Sequence, residues 1–284
     1  MRDMTLVLGG GGLSGIAWMT GLIAGLAEQG IDLTKASAVI GTSAGAAVGG
    51  QLGSGVAPAE LLARQIDPAK QVAEISPDPS QMAELIRAFT ALTGVKDPAE
   101  RNRRIGRLAL ETKTVGEAAR RAVIAARLPS HDWPARPLSL TAIDAESGVF
   151  RAFDAGSGVS LIDAVAASCA VPGVWPPVSI GGRRYVDGGM RSAENADLAV
   201  GAAAVLILSP MGQAGLPGGS PTLPGEIARL EAAGAAVHVI EPDAAARAAM
   251  GLNALDPAIR APTAEAGLRQ AASAAAPLRA FLAP

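Results

Sequence analysis

The stretch Leu8 to Trp18, LGGGGLSGIAW, decides how the chain is read. Four consecutive glycines follow the apolar run MTLVL, so a buried strand passes into a tight loop and then into a helix. Gly10, Gly12 and Gly15 fit G-x-G-x-x-G, the spacing that cradles a dinucleotide pyrophosphate. The same bare amides would also suit another anion, and the next strand separates the two options. A dinucleotide site needs Asp or Glu at the end of the second strand, roughly 20 residues beyond the glycines, to hold the ribose. That strand, SAVIG, runs into Thr42-Ser43 without an acid, and Asp32 precedes it. A nucleotide cofactor is therefore the weaker reading, and none is expected.

What stands there instead is GTSAG, Gly41 to Gly45, a G-x-S-x-G sequence between an expected strand and an expected helix. So sharp a turn needs small residues around Ser43, and it lifts the hydroxyl out of the sheet at a helix N-terminus. Adjacent parallel strands would bring the glycine loop and the Ser43 turn to one edge of the sheet. Gly10, Gly11 and Gly12, joined by the amide of Ala44, then read as an oxyanion hole, with Ser43 as the nucleophile. A third piece is YVDGGM, where Asp187 ends an expected strand ahead of Gly188 and Gly189. Taken alone, Asp-Gly is an ordinary turn pair.

Between and beyond these pieces the pattern is α/β. Leu13 to Gly30 and Ala44 to Leu52 read as helices, and strands resume at PLSLTAID, GVFRAFD, VSIGGRRYVDGG, AVLILS and AVHVI. From Pro58 to Leu128 the composition turns helical. MAELIRAFTAL puts Met82, Leu85, Ile86, Phe89 and Leu92 on one face, while Asp97-Pro98 with Glu100, and Thr114 with Glu117, read as helix starts with capping boxes. RNRRIGR, from Arg101, reads as a solvated helix face that could also meet anionic lipid, and Trp175 reads as a packing residue. Alanine-rich helices finish the chain, their repetition a bias of composition. The expected organisation is one domain over residues 1–284, with 58–130 a helical insert.

Composition excludes several classes. With 284 residues and 49% hydrophobic content the chain can bury a large core. A net charge of −2 argues against a nucleic-acid partner, and the single cysteine, Cys169, excludes an intrachain disulfide and a cysteine-based zinc site. The longest uncharged apolar run, Gly15 to Ala27, is too short for a bilayer span of about 20 residues. Asp3 and the glycine break also do not suit a signal peptide. The expected location is the cytoplasm, with peripheral contact at a membrane surface allowed.

GGGGLSG, GTSAG and DGG in this order resemble the patatin-like phospholipases, as does ASCAVPGVWPPVSIGGRRYVDGG, the approach to Asp187. The resemblance covers roughly residues 5–55 and 137–190. It implies a three-layer α/β/α fold with a mostly parallel central sheet, and a Ser-Asp dyad without histidine that hydrolyses acyl esters of lipids. By motif matching, Ser43 would be the nucleophile, Asp187 the base, and Gly10, Gly11 and Gly12 the oxyanion loop, with a lipid or other acyl ester as the substrate partner. The chain departs from the family at Ser14, where members commonly carry Arg or Lys; backbone donors do not depend on that side chain. A catalytically silent member that binds acyl ligands or partner proteins is the alternative of a different class. Asp144, Asp154, His131 and His238 read as structural.

Overall fold

The computed structural model describes residues 3–76, 87, 90, 92, 94–212 and 222–283. Met82, Leu85, Ile86 and Phe89 of the amphipathic stretch lie outside them.

The first strand, β1 (Thr5–Leu8), is buried at every position and leads through the glycines into α1 (Gly12–Glu28). β2 (Ala38–Gly41) and α2 (Ala44–Gly53) repeat the unit. Helices α3 (Pro58–Ile66), α4 (Pro98–Glu111) and α5 (Glu117–Arg127) come next. Then follow β3 (Leu138–Asp144), β4 (Phe150–Phe153), α6 (Leu161–Ser168), β5 (Val178–Ile180) and β6 (Arg183–Asp187). The chain continues with β7 (Ala204–Leu208), α7 (Leu223–Ala232), β8 (Ala236–Ile240), α8 (Ala244–Met250) and α9 (Arg260–Leu282).

Eight strands form one sheet in the order β5-β6-β3-β2-β1-β7-β8, with β4 paired to β3. β3, β2, β1, β7 and β8 run parallel, and β4, β5 and β6 join antiparallel. Alternation along the strands sends side chains to two dry faces, as a covered parallel sheet requires. Leu6, Leu8, Val39, Leu140 and Leu206 pack with α1, α2, α6 and α9 on one face. Val7, Ile40, Val205 and Ile207 pack with Leu223 and Leu230 of α7 on the other, where Ala109 of α4 meets Ile143 and Val186. The result is the expected three-layer α/β/α arrangement.

Helix α1 is buried from Leu13 to Leu26, because α9 lies directly across it. Only missing side chains permit that approach: a Cβ on Gly21 would overlap the Ala264 carbonyl, and one on Gly267 the Trp18 carbonyl. Trp18, fully buried, donates its indole N–H to Gln270 Oε1 at 2.8 Å, so the helix pair hides no unpaired indole.

Three local expectations are corrected. At α4, Asp97 caps by accepting from the Ala99 amide at 3.0 Å, but Glu100 pairs with Arg103 and Arg104 instead of closing a box. At α5 the cap is Gly116, not Thr114, and the Glu117 carboxylate accepts from the amide and hydroxyl of Ser179 in β5 at 2.7 and 3.0 Å. The arginine-rich face of α4 is also not uniformly solvated, since Arg101 and Asn102 are buried.

Candidate active site

The two turns that the sequence singled out meet at the carboxyl ends of β1 and β2, the edge where ligands bind in open α/β sheets. Ser43 sits between β2 and α2 with φ 53° and ψ −111°, a conformation that costs a non-glycine residue about 1–3 kcal/mol. Its flanking glycines are steric necessities. A Cβ on Gly45 would overlap the Leu8 carbonyl of β1, and one on Gly41 would stand 2.7 Å from the Gly45 carbonyl. The turn is tied from outside: the Ser43 amide donates to Ser168 Oγ at 2.9 Å, and the Cys169 thiol donates to the Ser43 carbonyl at 3.1 Å.

Asp187 ends β6, and the Ser43 hydroxyl is near enough to its carboxyl to lower its pKa. Its Oδ1 accepts from the Gly189 amide at 2.8 Å. Asp187 is only 1% exposed. Burial pushes its carboxyl up to about 7, against the smaller opposing effects of the Ser43 hydroxyl and the Gly189 amide. Asn195 holds the two turns together from αL geometry, which asparagine tolerates. Its Nδ2 donates to the Ser192 carbonyl at 2.8 Å, to Thr42 Oγ1 at 3.1 Å and to the Gly188 carbonyl at 3.2 Å.

The glycine loop is held as firmly. Gly9 donates to the Leu208 carbonyl at 2.9 Å, and Gly10 to the Ala193 carbonyl at 2.7 Å. The single N–H of Gly10, expected to be an oxyanion donor, is thus engaged within the protein. Among the described residues the amides of Gly11, Gly12 and Ala44 donate to no acceptor, as first-turn N–H groups are left free by helix geometry. Ser14 folds back, its hydroxyl donating to the Gly11 carbonyl at 3.0 Å while its amide meets the Ala254 carbonyl at 3.1 Å.

Gly12, Ser43 and Ala44 line a cleft. Its apolar wall includes Ile16, Val171 and Leu255. Trp175 is buried as expected of a packing residue, yet it also lines this cleft. Glu74, Arg120 and Arg127 bring charge to another part of the wall. Neither histidine lines it. His131 is exposed with a ring nitrogen 3.0 Å from the Ala125 carbonyl, and His238 stacks on Phe281 with ring centroids 5.4 Å apart. Asp144 accepts from the Glu146 and Ser147 amides and pairs with Arg183 at 2.8 Å, while Asp154 caps a short turn.

Sequence reading missed Asn195, Ser168, Leu255 and the two cleft arginines. Only Asn195 left a local signal, the polar run SAEN directly after the Asp187 turn.

Comparison with solved structures gives partial likenesses, two of which follow. VipD from Legionella pneumophila shares 15% identity over 74% of this chain and 50% of that chain, with a TM-score of 0.39. The type III effector protein ExoU shares 16% over 95% of this chain and 53% of its own, with a TM-score of 0.40. The chain thus spans about half the length of each. No curated protein matches the sequence. Residues 6–200, which contain the glycine loop, the Ser43 turn and the Asp187 turn, match the family model described as patatin-like phospholipase. With more than half of its length matched, the chain belongs to the patatin-like phospholipase family.

Proposed function

We propose that this protein is a serine acyl-ester hydrolase acting on lipids, a phospholipase A or lipid acyl hydrolase, in which Ser43 and Asp187 form the catalytic dyad. The reading is carried by one observation: the Ser43 hydroxyl lies near a buried carboxyl whose pKa is pushed up to about 7. A carboxylate of ordinary pKa near 3.9 is a weak base, whereas one titrating near neutrality suits the task of accepting a proton at working pH.

In the proposed reaction Ser43 Oγ bonds to the ester carbonyl carbon while its proton passes to Asp187. The carbonyl π electrons move onto oxygen, and the amides of Gly11, Gly12 and Ala44 stabilise that oxyanion. Each such donor is worth about 2.7–4 kcal/mol. Gly10 shapes the loop through its bond to Ala193 and is not counted as a donor here. As the intermediate collapses, the alcohol leaves with the proton returned by Asp187, and an acyl-enzyme remains. Water, deprotonated by Asp187, then attacks the acyl carbon, Ser43 leaves with that proton, and the carboxylic acid is released.

Hydrolysis of a short-chain nitrophenyl ester by folded variants tests the reading. Ser43→Ala should abolish turnover with the fold intact, because one oxygen is lost where a methyl group fits. Asp187→Asn should lower turnover at least a hundredfold, since an amide cannot accept the proton. Near wild-type turnover in folded Ser43→Ala would end the serine-hydrolase reading, and loss in Ser43→Ala alone would require another base.

A further inference from the structure

The charged wall of the cleft is not used by the proposed chemistry. Arg120 and Arg127 lie two turns apart on α5, so they share a face, and both line the cleft with Ser43. Both are more than nine-tenths buried, as is Arg260 at the start of α9. These three guanidinium groups share one carboxylate, Glu74. Its Oε1 lies 2.7 Å from Arg127 Nη2 and 2.5 Å from Arg260 Nη2, and its Oε2 lies 3.4 Å from Arg120 Nη1. Among the described residues, three cations thus face one anion. Among the described residues the Nε–H of each arginine is buried without an acceptor.

Burying cations with this little compensation costs several kcal/mol per ion, and each orphaned N–H adds to it. The structure bears the mark of that cost at Arg120, where burial, with Arg127's charge second, holds the pKa down at about 10. At neutral pH the group therefore remains a cation. Cys169 beside it offers no negative charge, since burial pushes its thiol up to about 12. Arg120 is also fixed in direction: its guanidinium lies over the Trp175 ring at 3.9 Å. Arg260, which also donates to the Val72 carbonyl at 2.9 Å, braces the Glu74 segment and does not line the cleft.

We infer that Arg120 and Arg127 form a phosphate-binding subsite of the Ser43 cleft, which selects acyl esters carrying a phosphate group, with Glu74 and Arg260 holding Arg127 in place. A phosphate monoester or diester supplies the missing negative charge and several acceptor oxygens for fork-shaped donors. The inference rests on the hydrolase reading for the reaction, but not for the binding of the anion.

The test compares dihexanoyl phosphatidic acid with dihexanoylglycerol, identical in acyl chains and differing in the phosphate, on wild type, Arg120→Gln and Arg120→Lys. Wild type should favour the phosphorylated ester at least tenfold in kcat/KM. Arg120→Gln should lose at least tenfold of that preference, and Arg120→Lys should retain most of it. Inorganic phosphate, against a chloride control of equal ionic strength, should compete with a neutral nitrophenyl ester in wild type and far less in Arg120→Gln. Competition by phosphate without preference for the phosphorylated lipid would uphold the anion subsite and assign it to free phosphate, overturning the headgroup assignment. No preference and no competition, or both unaltered by Arg120→Gln, would overturn the inference. If Arg120→Gln does not fold by circular dichroism, Arg127→Gln and calorimetric titration of wild type with phosphate decide: a preference and a phosphate affinity both unmoved in Arg127→Gln, or no heat of binding to wild type, count against it. Should wild type hydrolyse no ester, the hydrolase reading falls, and phosphate titration of wild type against Arg120→Gln and Arg127→Gln still judges the subsite.

Discussion

At Asp187 a single desolvated carboxyl would, under the proposed mechanism, link folding to turnover, and both consequences have a definite sign. Its pKa rises from an ordinary 3.8 to about 7 in the fold. The folded state therefore holds a proton that the unfolded chain releases, and the associated stability is complete below about pH 4 and lost as pH rises through about 7. Asp187→Asn mimics the neutral form at every pH. Thermal unfolding should show the variant gaining on wild type between about pH 4 and 7 and then keeping a constant lead. The rate moves the other way: with Asp187 as the base, kcat/KM should climb with pH and level off above about 7. A rate flat from pH 5 to 8, or a lead that does not grow with pH, would show that this carboxyl does not titrate as described. Ser43 and Asp187 were legible because their signals are local, small residues packed about a serine and an acid ending a strand. Arg120 and Arg127 were not, because in AARRAVIAAR nothing separates a buried arginine from a solvated one. Their burial depends on Glu74, which reaches them from a segment far away in the chain.

At the scale of elements, alternation and glycine punctuation placed the strands and the helices on either side of Ser43. Capping failed where a distant partner competed. Thr114 and Glu117 have the spacing of a capping box, yet β5 presents Ser179 to the Glu117 carboxylate and Gly116 begins the helix. The crossing of α1 and α9 was hidden as well, since alanine-rich sequence gives a weak amphipathic signal and small residues matter there for what they lack. Gly267→Ala should destabilise the protein by about 1–3 kcal/mol in urea unfolding, because its methyl group would press on the Trp18 carbonyl across the two helices. An unchanged midpoint would mean that the helices separate at little cost.

Over the whole molecule, the family match ends at residue 200, but the cleft does not. Leu255 lines it, the Ala254 carbonyl stops any side chain at Gly12, and Arg260 braces Glu74. The segment after β8 thus completes a site whose motifs all lie in the first two thirds of the chain. No described helix is long and apolar enough to cross a membrane. Both histidines stand away from the cleft lining, His238 in the sheet's edge strand β8 and His131 in an exposed loop. The central claim is that Asp187, with no histidine, activates Ser43. Its most direct measurement is the rate at which a fluorophosphonate labels the intact protein, with the modified residue located by mass spectrometry. The account predicts a Ser43 adduct that forms in the His131→Gln/His238→Gln double variant within about tenfold of the wild-type rate, about 1.4 kcal/mol in barrier, and at least a hundredfold more slowly in Asp187→Asn. Labelling that persists in Asp187→Asn but collapses a thousandfold in the double histidine variant would contradict it.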